Sequence, residues 1–442
     1  MLPRLEVVRR LRPVDLVAPG SVQVERDTGG IVPLPAPAPY VAATTAVHDR
    51  AWLALHLAGH RLGASVSTGS VSLTVTHGHG TRELRSRRFH RAEEPTHLGL
   101  SLTGTHLTAW THEAGRWVAR ARHDLREALD VRDEQSLRGL EVELPTWGGS
   151  AGGFGQLGLR DVRFVTAEDG SPLRADDGSL WLSATSAGPG FADAAHTSMW
   201  RLDPRAGTVA HSADLFFRRP DRPGVFGDHA THVVRTGGDW LVATSAWGDF
   251  ELPRTRVARR TPSGLRVTLA RTAADVRRGT HVLDTCELPL PTDGLGSIAT
   301  WDPHLVRRDG EWLVAYVSAR KYFDFHPVLA SGADLSALRL RGAASGRTAT
   351  EGPTLVDLDG RMLLLASDGR QGPRRHRGRF PAFDLDLAEL GALDAPYPTN
   401  LPWPTLAADD GGWLMATFNG RPTGGKLLGY GTHGDLVLMR SR

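Results

Sequence analysis

Short apolar runs separated by Asp-Gly or Gly-Gly set the rhythm of the second half of the chain. A short strand-like run, a tight turn, then a run opening on a large residue and ending in small ones recurs five times. The turns are Asp177-Gly178, Gly237-Gly238, Asp309-Gly310, Asp359-Gly360 and Gly411-Gly412, and the large residues that follow are Trp181, Trp240, Trp312, Met362 and Trp413. Asp-Gly and Gly-Gly accept the positive φ of tight hairpin turns, so each phrase predicts an antiparallel hairpin. The intervals suit four-stranded blades, and no amphipathic helix recurs as a helical solenoid would need. The pattern therefore predicts an all-β chain with a five-bladed β-propeller over residues 153–442.

The first part of the chain has a different rhythm. Apolar β-rich segments at 51–60, 65–75, 97–102, 106–110 and 117–120 alternate with Gly and polar turns. They predict an N-terminal β-sandwich, concanavalin-like or lectin-like, over residues 1–145. The stretch from Asp130 to Gly153, with its run Gly148-Gly149-Ser150-Ala151-Gly152-Gly153, reads as the connection into the propeller.

Composition narrows the function classes. The net charge is +3, with Lys321 and Lys426 the only lysines. Abundant Arg, Ala and Gly point to a high-GC bacterial source. Arg is interleaved with Asp and Glu, and the densest run, Arg374-Arg375-His376-Arg377, is short, so no nucleic-acid partner is expected. Cys286 is the sole cysteine, which excludes an intrachain disulfide and a Cys-based zinc site. The charges at Arg4, Glu6, Arg9, Arg10, Arg12 and Asp15 interrupt any signal-like apolar stretch, and no run reaches the roughly 18 residues of a membrane span. A cytoplasmic protein without a membrane partner is expected. The match of Gly153-Phe154-Gly155-Gln156-Leu157-Gly158 to G-x-G-x-x-G is fortuitous, because a β-like segment follows it where a dinucleotide site needs a helix.

The first strands of propeller blades line the channel, so residues at their entries converge. Three entries carry a carboxylate: Arg160-Asp161-Val162, Trp301-Asp302-Pro303-His304 and Glu351-Gly352-Pro353. Carboxylates aimed into one channel raise one another's pKa, which is costly for structure but useful where one must stay protonated and another ionised. An Asp before Pro can also be only a strand-entry turn. The set, in this order on blades one, three and four, resembles the family 43 glycoside hydrolases and the related family 32 type, as does Ser331-Gly332-Ala333-Asp334-Leu335. Val162 departs from the usual Pro, and a sandwich placed before the propeller departs from the usual order.

The resemblance implies an inverting glycoside hydrolase, with Asp161 as general base, Asp302 as pKa modulator and Glu351 as general acid. Furanosidic or pentose-containing glycosides, arabinofuranosides foremost, in an oligo- or polysaccharide would be the substrate. No cofactor is implied as required, although the channel of such propellers can house a structural calcium or other ion, and His433 resembles a late-blade channel histidine that helps bind one. Arg160, His229, His232 and His304 are candidate substrate contacts. Trp301 and Trp403 are candidate stacking platforms at strand entries, whereas Trp181, Trp240, Trp312 and Trp413 occupy the repeated core position. Two other classes remain open: a transferase or phosphorylase on this scaffold, and a non-catalytic carbohydrate-binding protein.

Overall fold

The computed structural model describes residues 2–251, 264–423, 427 and 434–441. Five sheets form the propeller, and the innermost strands pack on one another around its axis. Blade one opens with Leu159–Phe164, blade two with His229–Thr236, blade three with Ala299–Arg308, blade four with Thr350–Leu358 and blade five with Thr405–Asp409. Trp181 and Trp240 are buried between blades one and two, Trp312 between blades two and three, and Met362 between blades three and four. The repeated large residue is thus core in these four, and Trp413 is half-buried against the core of blade five. No helix among the described residues is long and apolar enough to cross a membrane.

The ring is closed by a strand that the sequence reading assigned elsewhere. Leu5–Leu11 pairs antiparallel with Asp435–Ser441 and forms the outer edge of blade five. The sandwich is therefore inserted between this strand and blade one. An outer strand buries little, and here only Leu5 is fully buried, against Leu393, Val437 and Met439. Its remaining positions are charged or half-exposed, which hides the strand from hydrophobic periodicity.

The sandwich consists of two six-stranded sheets, with Leu53, Leu62, Leu73, Leu98, Leu100 and Leu107 among the residues filling the space between them. The expected connector is also corrected. Gly149–Gln156 is an internal strand, paired with Tyr40–Ala46 on one side and Asp15–Arg26 on the other. Glycine is required there because the neighbouring strands come so close: a Cβ at Gly152 would lie 1.9 Å from the Ser21 carbonyl oxygen.

Ring closure predicts a measurable cost. Leu5→Ala should lower the unfolding free energy by about 2–4 kcal/mol, the range for deleting a fully buried leucine. Urea unfolding of the full chain checks this, and an unchanged midpoint would show that the ring does not depend on the first strand.

Candidate active site

The innermost strands of blades one to four share one irregularity. Each shifts register near its start, between Arg160 and Arg163, His229 and His232, Trp301 and His304, and Glu351 and Thr354. Within each shift one residue is left-handed: Asp161 at φ 52°, Ala230 at 61°, Asp302 at 55° and Gly352 at 65°. A bulge of this kind re-aims side chains, and the non-glycine members carry backbone strain typical of functional positions. Asp161 and Asp302 are equivalent, whereas Glu351 stands one place earlier, level with Arg160, His229 and Trp301. Aligning Pro303 with Pro353 gives the same one-residue offset.

These bulges surround a cavity of about 430 Å³. Arg160, Asp161, His229, Trp301, Asp302, Glu351 and Trp403 all line it, as do Gln371 and Asn400. Arg160 Nε lies 3.4 Å from Asp161 Oδ2, and the Gly352 N–H donates to Asp302 Oδ2 at 3.2 Å. His229 is buried, and its Nδ1 is 3.1 Å from the Gly227 carbonyl oxygen. Burial holds this imidazole neutral, well below its ordinary pKa. Nδ1–H then donates to the carbonyl, leaving Nε2 as an acceptor.

His232 and His304 do not line the cavity, which corrects their reading as substrate contacts. The bulge places them one layer deeper, stacked at 3.9 Å. His232 Nδ1 accepts from the Leu305 N–H at 3.0 Å, and His304 Nδ1 from the Leu355 N–H at 3.4 Å. Burial holds both well below the usual histidine range, so they serve as neutral acceptors between blades. His433 lies outside the described residues. Trp301 and Trp403 do border the cavity, but they are only 3 % and 1 % exposed and their rings are packed. Trp301 meets Trp247 and Phe325, and Trp403 meets Phe418 and Arg163, so neither offers the free face of a stacking platform.

Arg163, overlooked in the sequence, occupies the axis in the histidine layer. It is fully buried and donates through Nη1 to the Pro353 carbonyl at 3.0 Å and Thr354 Oγ1 at 3.1 Å. Nη2 donates to the Asp302 carbonyl at 3.2 Å. Burial lowers its pKa to about 10, so it remains charged at neutral pH. A fixed guanidinium beside two histidines already spent on backbone N–H groups does not suit a metal ion at this level. Among the described residues no group of three or more His, Cys, Asp or Glu could hold one.

The sandwich shapes another wall. Phe191 and Ala192 line the cavity, and the next residue, Asp193, is gripped from outside by His106 Nε2 at 2.9 Å and Arg126 Nη2 at 3.1 Å. Burial opposes the charge on Asp193, but these two partners prevail and hold its pKa below the usual range. Arg122 also donates to the Pro189 carbonyl of this loop at 3.2 Å. Nothing in local sequence pattern links residues 106 and 126 to a blade-one loop.

The electrostatics separate the three carboxyl groups. Burial, reinforced by Asp161, pushes Glu351 up to about 8, against the restraint of Trp301, Trp403 and Arg160. Burial raises Asp161 too, but Arg160, Thr185 and Arg163 favour its ionised form. Burial, Glu351 and Asp161 push Asp302 well up, while Arg163 and the Gly352 N–H work the other way. The three titrate as one unit. At about 8, with neutral indoles as the donors that reach it most strongly, Glu351 suits the part of a carboxyl that keeps a proton at neutral pH.

No protein-family model and no curated protein matches the sequence. Solved structures to which the chain is similar include Zg3597, a family 117 glycoside hydrolase from the marine bacterium Zobellia galactanivorans. That likeness has 12 % identity and a TM-score of 0.44, covering 64 % of this chain and 84 % of that one. The GH43_1 enzyme from Xanthomonas citri shows 14 % identity and a TM-score of 0.41, over 63 % of this chain and 88 % of that one. An alpha-L-arabinanase from Penicillium chrysogenum, solved with arabinobiose, shows 13 % identity and a TM-score of 0.38, over 94 % and 98 %. Identities this low leave the chemistry to the residues of this chain.

A proton retained by folded Glu351 between its ordinary 4.5 and about 8 makes stability fall as pH rises through that window, because the folded state binds more protons than the unfolded. Glu351→Gln, neutral at every pH, should reduce this slope by up to about 1.4 kcal/mol per pH unit. Denaturant unfolding from pH 5 to 8 checks it, and parallel slopes for the two proteins would contradict a raised Glu351.

Proposed function

We propose that the protein is an inverting glycoside hydrolase acting on furanosidic or pentose-containing glycosides, with arabinofuranosides the first candidates. The observation carrying this reading is the meeting of Asp161, Asp302 and Glu351 on three bulged strand entries around one cavity, with Glu351 poised as an acid and Asp161 beside a guanidinium. Such a pair, environments pushed apart, is what acid–base hydrolysis requires.

In the reaction, the Glu351 carboxyl gives its proton to the glycosidic oxygen as the bond to the anomeric carbon breaks. Asp161 takes a proton from a water that attacks this carbon from the opposite face, so the configuration inverts. Arg160, beside Asp161, favours the ionised form of the base against burial. Asp302, anchored by the Gly352 N–H next to Glu351 and raised by burial, Glu351 and Asp161, is the pKa modulator of the pair. His229 Nε2 is placed to accept from a sugar hydroxyl. The wall at Phe191, fixed by the sandwich, limits the substrate on the blade-one side.

Chromogenic arabinofuranosides, fructofuranosides and xylosides, with NMR detection of the first-formed anomer, test the reading. Asp161→Asn should lower turnover on any substrate by at least about 10²-fold, and Glu351→Gln should do so only for poor leaving groups. Near-normal activity of Glu351→Gln on a disaccharide would remove it as the acid. Phosphate-dependent turnover would identify a phosphorylase, and binding without product would identify a carbohydrate-binding protein. Asp193→Ala should raise KM several-fold more than it lowers kcat; an equal loss in both would place Asp193 outside substrate positioning.

A further inference from the structure

Two buried indole N–H groups border the candidate acid, and neither completes a hydrogen bond among the described residues: those of Trp301 and Trp403. A buried donor without a partner is costly, and native structures leave very few. Both rings are locked. Trp301 is wedged between Trp247, at 5.6 Å, and Phe325, at 5.3 Å. Trp403 lies under the Arg163 guanidinium at 4.5 Å, and Gly352, next to Glu351, packs so closely that a Cβ there would stand 2.2 Å from Trp403 Cδ1. Glycine at 352 therefore brings the blade-four entry onto the indole. Both indoles line the cavity beside Glu351, and their N–H groups favour its charged form.

We propose that Trp301 and Trp403 are positioning residues of the acid: their indole N–H groups receive the Glu351 carboxylate that exists only after its proton has left. This rests on the reading of Glu351 as general acid. As the proton passes to the glycosidic oxygen and the C–O bond breaks, negative charge appears on Glu351. Two neutral donors already in place then accept it without rearrangement, as preorganised donors do wherever charge develops. Glu351 regains a proton from solvent before the next turnover. Neutral donors suit this role better than a cation, because a cation in direct contact would ionise the acid before substrate arrived.

The other groups facing Glu351 are fixed elements of the same balance. Asp161 and Arg160 face it from blade one and Asp302 from blade three. Tyr397, on the approach to blade five, is neutral and hydrogen-bonded to Ser367 Oγ and the Asp368 carbonyl. None of these is altered by deleting an indole N–H.

The test is the alkaline limb of kcat/KM, which reports loss of the protonated acid as pH rises. An arabinofuranosyl disaccharide supplies a leaving group that needs protonation, and 4-nitrophenyl arabinofuranoside one that barely does. Trp403→Phe and Trp301→Phe should each move the limb to higher pH by about one unit, the order expected on deleting a hydrogen bond to a charged group. They should slow the disaccharide at least tenfold more than the nitrophenyl substrate. Because Phe leaves a gap, replacement of either tryptophan by benzothienylalanine, which exchanges N–H for sulfur in the same shape, should shift the limb equally. A limb that stays in place or moves down in folded variants overturns the proposal. Near-normal disaccharide turnover by Glu351→Gln would instead overturn the acid assignment while leaving the limb shifts to be read separately. If none of these glycosides is cleaved, the midpoint of the pH-dependent loss of stability decides: deletion of an indole N–H must raise it, and an unmoved midpoint overturns the proposal.

Discussion

A single guanidinium at the propeller axis ties together the strands that carry the site. Arg163 belongs to the blade-one strand of Asp161, yet its donors end on the carbonyl of Asp302 in blade three and on Pro353 and Thr354 in blade four, just beyond Glu351. Through Trp403 it also touches the approach to blade five. Blades in a ring contact mainly their neighbours, so convergence of three remote carboxylates needs a tie of this reach. Arginine suits it because the rigid fork gives several donors in fixed directions and keeps its charge when buried.

The same residue sets the charge state of the layer above. Three buried carboxylates alone would retain protons indiscriminately. Arg160 and Arg163 supply two positive charges, next to Asp161 and beneath Asp302, whereas the donors that reach Glu351 most strongly are the neutral indoles of Trp301 and Trp403. The asymmetry divides acid from base. The bulges make it geometrically available: without the left-handed Asp161 and Asp302, these side chains would follow ordinary strand alternation rather than turn toward the cavity.

Much of this was legible in sequence, for local reasons. The five hairpin phrases depend on turn residues and apolar runs that lie next to one another, and the carboxylates stood at the strand entries that open three of them. The outer strand Leu5–Leu11 was not legible, because an edge strand of charged, half-exposed residues lacks a hydrophobic signature. Gly149–Gln156 read as a linker because the glycines that permit close strand approach are those that mark loops. His232 and His304 were misplaced by the extra bulge residue, which moves everything after it one layer down. Arg163 carried a faint sign, a charged residue between Val162 and Phe164 in an innermost strand. The grip of His106 and Arg126 on Asp193 joins residues far apart in the chain, and no local pattern announces it.

The central claim is that Glu351 holds a proton at neutral pH, as the acid of the pair. Infrared difference titration of wild type against Glu351→Gln observes that proton directly, through the carbonyl stretch of a protonated carboxyl group. The account predicts a band present at pH 6–7, lost with a midpoint near 8 and missing from the variant. A band already gone by pH 6, with a midpoint near the ordinary 4.5 of a glutamate, would contradict it.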